Sequence, residues 1–228
     1  VWTDSERGRD LSRREIENIK NAVARYSPKE LLFTGGEPTL YIPLINEIAS
    51  AHRGRDLKVV LTTNGHFSAN LRTAKKTLAA IKKLKHVQLS YDNFHSKYIP
   101  LKFVGKLYKA CREQNLKFSV LCAIQSPLDL SILRDLSDIG KFNVGVQKVV
   151  PRGQARKNGV YFRYSCFDSG VLSKKCPNLG RIAYSGGRGF SVCCSGLVNK
   201  RLQLKVAHDS VEKHVRGGFY RQLERYTF

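Results

Sequence analysis

Short runs rich in branched and aromatic apolar residues recur at 31–35, 57–62, 86–91, 117–124 and 143–150, and stretches of helical apolar spacing separate them. Strands that alternate with helices join through crossovers rather than hairpins, so the pattern predicts βαβ units with right-handed connections and a parallel sheet. Helices are expected at 11–26, 41–52, 68–84, 99–114 and 128–139. The first carries apolar residues at Leu11, Ile16, Ile19 and Val23, with Asp10 or Ser12 placed to cap it. Ser68 leads the third, and Ser126-Pro127 supplies cap and first-turn signals for the last.

In a parallel α/β sheet, small molecules bind at the carboxyl ends of the strands. The loop after the first run is Gly35-Gly36-Glu37-Pro38. Its glycines let backbone approach a ligand closely, Glu37 offers a carboxylate to an ammonium group, and Pro38 stiffens the exit into the next helix. The second run ends in Thr62-Thr63-Asn64-Gly65 and the third in Ser90-Tyr91-Asp92-Asn93-Phe94-His95. Each loop also has a plain reading. Gly-Gly before a helix is ordinary turn chemistry, Asn64-Gly65 is a favoured turn dipeptide, and Ser90 and Asp92 could cap a turn. His66 and His95 read as solvated loop histidines, although His95 could touch a substrate.

Together these loops resemble the radical SAM superfamily. Its members carry a Gly-Gly-Glu-Pro-like loop, then a Thr-Asn-Gly-like end, then a Ser-x-Asp-like end on successive strands. Leu32 to Leu40, Leu61 to Gly65 and Leu89 to Asp92 match these, and Val150-Pro151-Arg152-Gly153-Gln154-Ala155 is similar to the Pro-x-Gly-x-Ala segment that follows the sixth strand. The likeness spans roughly residues 25 to 155. It implies an α/β fold, a partial (β/α)6 barrel of parallel strands, with its first strand upstream of Val1. It further implies reductive cleavage of S-adenosylmethionine to a 5'-deoxyadenosyl radical that abstracts hydrogen from a substrate. Gly35, Gly36, Glu37 and Pro38 would receive the methionyl amino group. Thr62, Asn64, Ser90 and Asp92 would serve its carboxylate and the ribose hydroxyls, and backbone around Val150 would meet the adenine.

The superfamily holds a catalytic [4Fe-4S] cluster on a CxxxCxxC loop before the Gly-Gly-Glu-Pro loop, yet no cysteine precedes Cys111 here. The cluster ligands are therefore expected upstream of Val1; the alternative is a relative that has lost the cluster.

After Pro151 the rhythm changes: residues 151–228 hold more than half of the glycines and most of the cysteines, without βα alternation. A domain boundary is expected near 152, separating a 1–151 barrel from a 152–228 extension. Cys176, Gly189 and Cys194 bracket a short segment with a Gly186-Gly187 turn, a hairpin that would bring two thiolates together for metal or cluster ligation. The spacing resembles the first half of the SPASM and twitch extensions, which bind auxiliary iron-sulfur clusters. On that likeness Cys176, Cys194 and Cys166 are metal-ligand candidates for an auxiliary [4Fe-4S] cluster. Buried thiols or a disulfide are the alternatives, and Cys111 and Cys122 read as packing residues.

The formal charge of +22 points to an acidic partner. Basic residues are scattered over Lys75-Lys76, Lys82 to Lys85, Arg152 to Lys157 and Lys200-Arg201, so a solvated helix face is one reading and steering of an anionic substrate another. No apolar run approaches the ~20 residues that span a bilayer, no signal peptide begins at Val1, and a cytoplasmic enzyme is expected. A peptide or protein side chain is the expected substrate, with an external electron donor as partner. Modification of a nucleic acid or nucleotide is the alternative, as is a cluster-free relative that binds nucleic acid or protein.

Overall fold

Strands β1 (Glu30–Phe33), β2 (Lys58–Thr63), β3 (Leu84–Ser90), β4 (Lys117–Ile124) and β5 (Asn143–Lys148) are linked by α2 (Ile42–Ser50), α3 (Leu71–Ala79), α4 (Leu101–Glu113) and α5 (Ile132–Ser137). An earlier helix, α1 (Arg13–Tyr26), precedes them. This is a computed structural model, and it describes residues 10–151, 153–164, 169–192 and 206–227. The five strands form one sheet in chain order, and every neighbouring pair is parallel.

Chain order without a reversal has a geometric consequence. Right-handed crossovers then deposit every connecting helix on the same face of the sheet. The core shows this, because one cluster gathers Ile45 and Ala49 of α2, Leu78 of α3, Leu107 and Cys111 of α4 and Leu136 of α5 against Leu61, Leu89, Val120 and Cys122 of the strands. Each fully buried Leu there contributes roughly 1.5–3 kcal/mol relative to exposure. The fold is thus the α/β parallel arrangement that the strand pattern predicts, with the partial-barrel character that the resemblance implies.

Side chains alternate across a strand, so residues between the buried ones face the other way. That opposite face mixes apolar side chains such as Leu32, Val60 and Leu121 with a polar patch. Thr62 donates its hydroxyl to Gln88 Oε1 at 3.1 Å, and His86 Nε2 lies 2.8 Å from Ser119 Oγ.

Several element ends differ from the sequence pattern. Helix α3 starts at Leu71, not at 68, because the extended Asn70 accepts from the Arg72 and Thr73 N–H groups and caps it. Ser68 instead belongs to a 3-10 turn over His66–Ala69, where its buried hydroxyl donates to the Gly65 and Phe103 carbonyls. Likewise α5 begins at Ile132, after a 3-10 turn over Pro127–Ser131 in which Ser126 and Asp129 form a capping box. Strand β5 stops at Lys148, short of the expected 150.

Contacts divide the chain into two compact units. One is the sheet with its helices, over 27–164. The change of composition at 152 does not coincide with its end, since Phe162 N–H donates to the Val149 carbonyl and Val160 N–H to that of Ala155. The other unit combines α1 with the segments after 164. Ser12 and Glu15 form a capping box at the start of α1, and Glu15 Oε1 also accepts the Gly187 N–H at 2.8 Å. Arg25 pairs with Glu212 at 2.7 Å. Gly187 sits in the turn of an antiparallel hairpin, β6 (Ala183–Ser185) and β7 (Gly189–Ser191). Phe190 of β7 bridges to His208, and the short helices α6 (Val211–Val215) and α7 (Gly218–Arg225) follow. No helix among the described residues is long and apolar enough to cross a membrane.

Candidate functional site

The carboxyl ends of β1, β2, β3 and β4 form the region of interest, and Glu37 is its hub. Glu37 caps a 3-10 turn over Pro38–Tyr41 whose first residue is the buried Pro38. One carboxylate oxygen, Oε1, accepts from the Thr39 N–H at 3.2 Å, the Thr39 hydroxyl at 2.7 Å and the Thr63 hydroxyl at 2.8 Å. The other, Oε2, accepts the Asn64 N–H at 3.0 Å. The carboxylate therefore ties the loop after β1 to the tip of β2. Among the described residues Oε2 takes a single donor, which leaves lone-pair capacity for an incoming cation.

The glycines before it keep that approach open. Gly35 has φ +115°, a conformation L side chains avoid, and a Cβ on Gly35 or Gly36 would meet no atom within 4 Å. Together with the free side of Oε2, this cradle fits the amino group of an amino-acid ligand such as the methionyl part of S-adenosylmethionine.

Asn64 and its neighbours are built as a turn. Asn64 Oδ1 accepts the His66 N–H at 2.9 Å, and Gly65 has φ +73° with Leu89 packed so close that a Cβ would stand 2.7 Å from its Cδ1. Thr62 lies in the polar patch of the sheet's opposite face, bonded to Gln88. The residue that completes the Glu37 network is Thr63, which sequence reasoning passed over in favour of Thr62 and Asn64. Strand alternation places the two threonines on opposite sides, and only the 2% exposed Thr63 reaches Glu37 while also accepting the Gly65 N–H.

At the end of β3, Ser90 is half-buried. Asp92 sits in the turn that follows β3. It is 2% exposed, and its Oδ1 accepts the Phe94 N–H, the His95 N–H and the His95 ring at 2.8–3.0 Å, while Oδ2 takes the Ala123 N–H at 3.3 Å. Burial pushes the Asp92 pKa up. The hydrogen bond and charge of the His95 ring, with the His95 and Phe94 N–H groups, outweigh burial and hold the carboxyl below the ordinary aspartate value. Asp92 thus braces the loop, the turn-capping role that its residue type also allows. Val150 stands beyond β5 and is 49% exposed, with its neighbour Val149 still bonded to the Ile124 carbonyl.

The cysteines separate cleanly. Cys111 and Cys122 are fully buried in the helix-side core, where burial pushes their thiols up to about 12 and about 11. Neither can present a thiolate to a cluster at neutral pH. Cys176 is half-buried beside a cavity of about 330 Å³ shared with Phe219, Gln222, Leu223 and Tyr226. Cys166 and Cys194 lie outside the described residues, as does Cys193. Among the described residues no group of three or more His, Cys, Asp or Glu could hold a metal ion. Those residues therefore do not fit an iron-sulfur cluster, whereas the Glu37 cradle fits an amino-acid ammonium. A larger cavity of about 590 Å³, lined by Leu133, Phe142 and Val144, opens at the amino end of β5, away from the strand ends that converge on Glu37.

Comparison with known proteins identifies the family. Residues 1–120 match the model of the radical SAM superfamily. The 7-carboxy-7-deazaguanine synthase of Methanocaldococcus jannaschii is 30% identical over 151 residues, covering 64% of this chain and 62% of that protein, so the chain spans under two thirds of the relative's length. Among solved structures, the radical S-adenosylmethionine methyltransferase TsrM from Kitasatospora setae with cobalamin and a [4Fe-4S] cluster bound has a TM-score of 0.41 at 13% identity, covering 60% of this chain and 31% of that one. The same enzyme with tryptophan and a SAM analogue bound has a TM-score of 0.43 at 14% identity, covering 60% and 30%. The match over 1–120 takes in the Glu37 loop, the tip of β2 and the Asp92 loop, and the chain belongs to the radical SAM superfamily.

Proposed function

We propose that this chain is part of a radical SAM enzyme that cleaves S-adenosylmethionine reductively and abstracts hydrogen from a peptide or protein side chain. The observation that carries the reading is the Glu37 carboxylate, fixed by Thr39, Thr63 and Asn64, with Oε2 taking a single donor among the described residues, directly after an uncrowded Gly35-Gly36 turn. A carboxylate locked before its ligand arrives loses little entropy on binding, so it positions the methionyl ammonium cheaply. A reduced [4Fe-4S] cluster supplies the electron for such cleavage when bound. The described cysteines do not hold it, so the residues assigned here are those for S-adenosylmethionine and substrate. In this reading Thr62, Asn64 and Ser90 face the cofactor, the backbone near Val150 meets adenine, and Cys176 with Cys166 and Cys194 serves an auxiliary cluster in a SPASM- or twitch-like extension.

The test is anaerobic reconstitution of the full natural polypeptide, followed by iron and sulfide analysis and detection of 5'-deoxyadenosine after reduction with S-adenosylmethionine. About four irons per chain would accompany one [4Fe-4S] cluster and about eight would add the auxiliary one. Glu37→Ala should lower S-adenosylmethionine affinity at least tenfold while iron content stays the same. Absence of both iron and 5'-deoxyadenosine would overturn the reading and favour a cluster-free binding protein.

A second reading, in which the substrate is a nucleic acid or a nucleotide, is favoured by the formal charge of +22 and by a relative named for a deazaguanine product. Binding to RNA that weakens steeply with salt, with a log–log slope set by the number of phosphates neutralised, would select it over the peptide reading.

A further inference from the structure

The loop after β3 contains a histidine held in a manner that solvation alone does not require. His95 Nδ1 lies 2.8 Å from Asp92 Oδ1, and the His95 N–H donates to that same oxygen at 3.0 Å. His95 is thus tethered twice to one carboxylate, once through its backbone N–H and once through its ring. Asp92 is itself immobilised: it is 2% exposed, and Oδ2 reaches across to the Ala123 N–H of β4. The turn is closed further by Ser96 N–H donating to the Asp92 carbonyl at 2.8 Å, and Asn93 Nδ2 ties it to Asp129 Oδ1 at 2.8 Å in the loop after β4.

What remains of the imidazole is Nε2. It has no hydrogen-bond partner among the described residues, and it is not sealed in the interior: the one orphaned buried side-chain nitrogen or oxygen there is His214 Nε2. The His95 side chain is 22% exposed, enough to admit a ligand and little enough to hold the ring still. An ionised carboxylate only accepts, so Nδ1 must carry the proton toward Asp92 and neutral His95 must present a bare lone pair at Nε2. A packed, second-residue carboxylate that sets the tautomer and steadies the imidazolium is the arrangement that general-base histidines need.

We propose that Asp92 and His95 form a proton-accepting dyad at the carboxyl end of the sheet, serving a ligand that offers an O–H or N–H group there. His95 Nε2 takes the proton, the bonding pair stays on the ligand's oxygen or nitrogen, and the resulting imidazolium is balanced by the Asp92 carboxylate until the proton leaves to solvent. Asp92 is a positioning residue in this dyad. The inference rests on the loop geometry and goes beyond the radical reading, which can fail without affecting it.

The test reads the ring directly. Nitrogen NMR of the full protein labelled at histidine, recorded above the ordinary histidine titration range and assigned with His95→Asn, is expected to show the Nδ1–H tautomer with Nε2 unprotonated. Diethyl pyrocarbonate, a probe that acylates a bare imidazole nitrogen, should modify His95 readily, with the site mapped by peptide mass spectrometry. Asp92→Asn should slow that modification at least fivefold and mix the tautomers, while His95→Asn keeps the fold. An Nε2–H tautomer in the wild-type protein would overturn the proposal, as would a folded Asp92→Asn variant with unchanged reactivity. If Asp92→Asn does not fold, the wild-type spectrum alone decides.

Discussion

Thr63 donates its hydroxyl to Glu37 Oε1 at 2.8 Å and accepts the Gly65 N–H at 3.0 Å, so one buried hydroxyl spans two loops. Thr63→Val keeps the shape and removes both bonds. It is expected to destabilise the protein by about 1–3 kcal/mol, the usual cost of leaving buried groups unpaired. Thr63→Ser should restore most of this. Denaturant midpoints of the three proteins check it.

Gly65 adopts φ +73° with Leu89 against its Cα. Gly65→Ala should cost about 1–3 kcal/mol through backbone strain and displacement of Leu89. Gly36→Ala, with nothing within 4 Å of its Cβ, should be near neutral in stability. Thermal unfolding of both variants separates the two kinds of glycine.

Cys111 and Cys122 have thiols pushed up to about 12 and about 11, whereas Cys176 is half-buried. Iodoacetamide at mildly alkaline pH should label Cys176 at least tenfold faster than either core thiol in the folded, metal-free protein. Labelling of all three should converge in denaturant. Quantitative peptide mass spectrometry gives the rates.

His214 is 1% exposed, and burial, with the nearby His208 charge, lowers its pKa. His86 is lowered too, by burial first and by Lys117, against a raising influence of Glu30. A lowered histidine pKa means the unfolded chain binds the proton first. Stability should therefore fall as pH drops through the ordinary histidine value, near 6.5, and the loss should level off below the folded pKa values. His214→Phe, which keeps an aromatic ring against Tyr220, should flatten part of that slope. Denaturation midpoints between pH about 8 and 5 measure the difference.

The sheet was legible because its strands are apolar runs set off by polar ends, and all five expected strands form, with ends that shift by a few residues. Period and composition locate a strand but not a cap. At the start of α3, Ser68 and Asn70 are both good caps by residue type, and the choice of Asn70 depends on Ser68 being drawn into contact with the Phe103 carbonyl of α4. The site divides in the same way. Glu37 and the glycines announce themselves by their place after a strand. Thr63 and the Asp92–His95 pair depend on which side of a strand tip each side chain leaves, and on bonds to Ala123, a residue remote in sequence.

Helix α1 finds its partners late. Its Glu15 bonds to Gly187 across a sequence separation of 172 residues, and Arg25 pairs with Glu212. All five strands and the helices that connect them are spelled out between these partners. During synthesis at about 5–20 residues per second, the Glu15–Gly187 bond must wait on the order of ten seconds for its second partner, by which time all five strands have been made. The two units thus differ in order of appearance: the five strands emerge as one continuous stretch, whereas the Glu15–Gly187 and Arg25–Glu212 pairs each join an early residue to a late one.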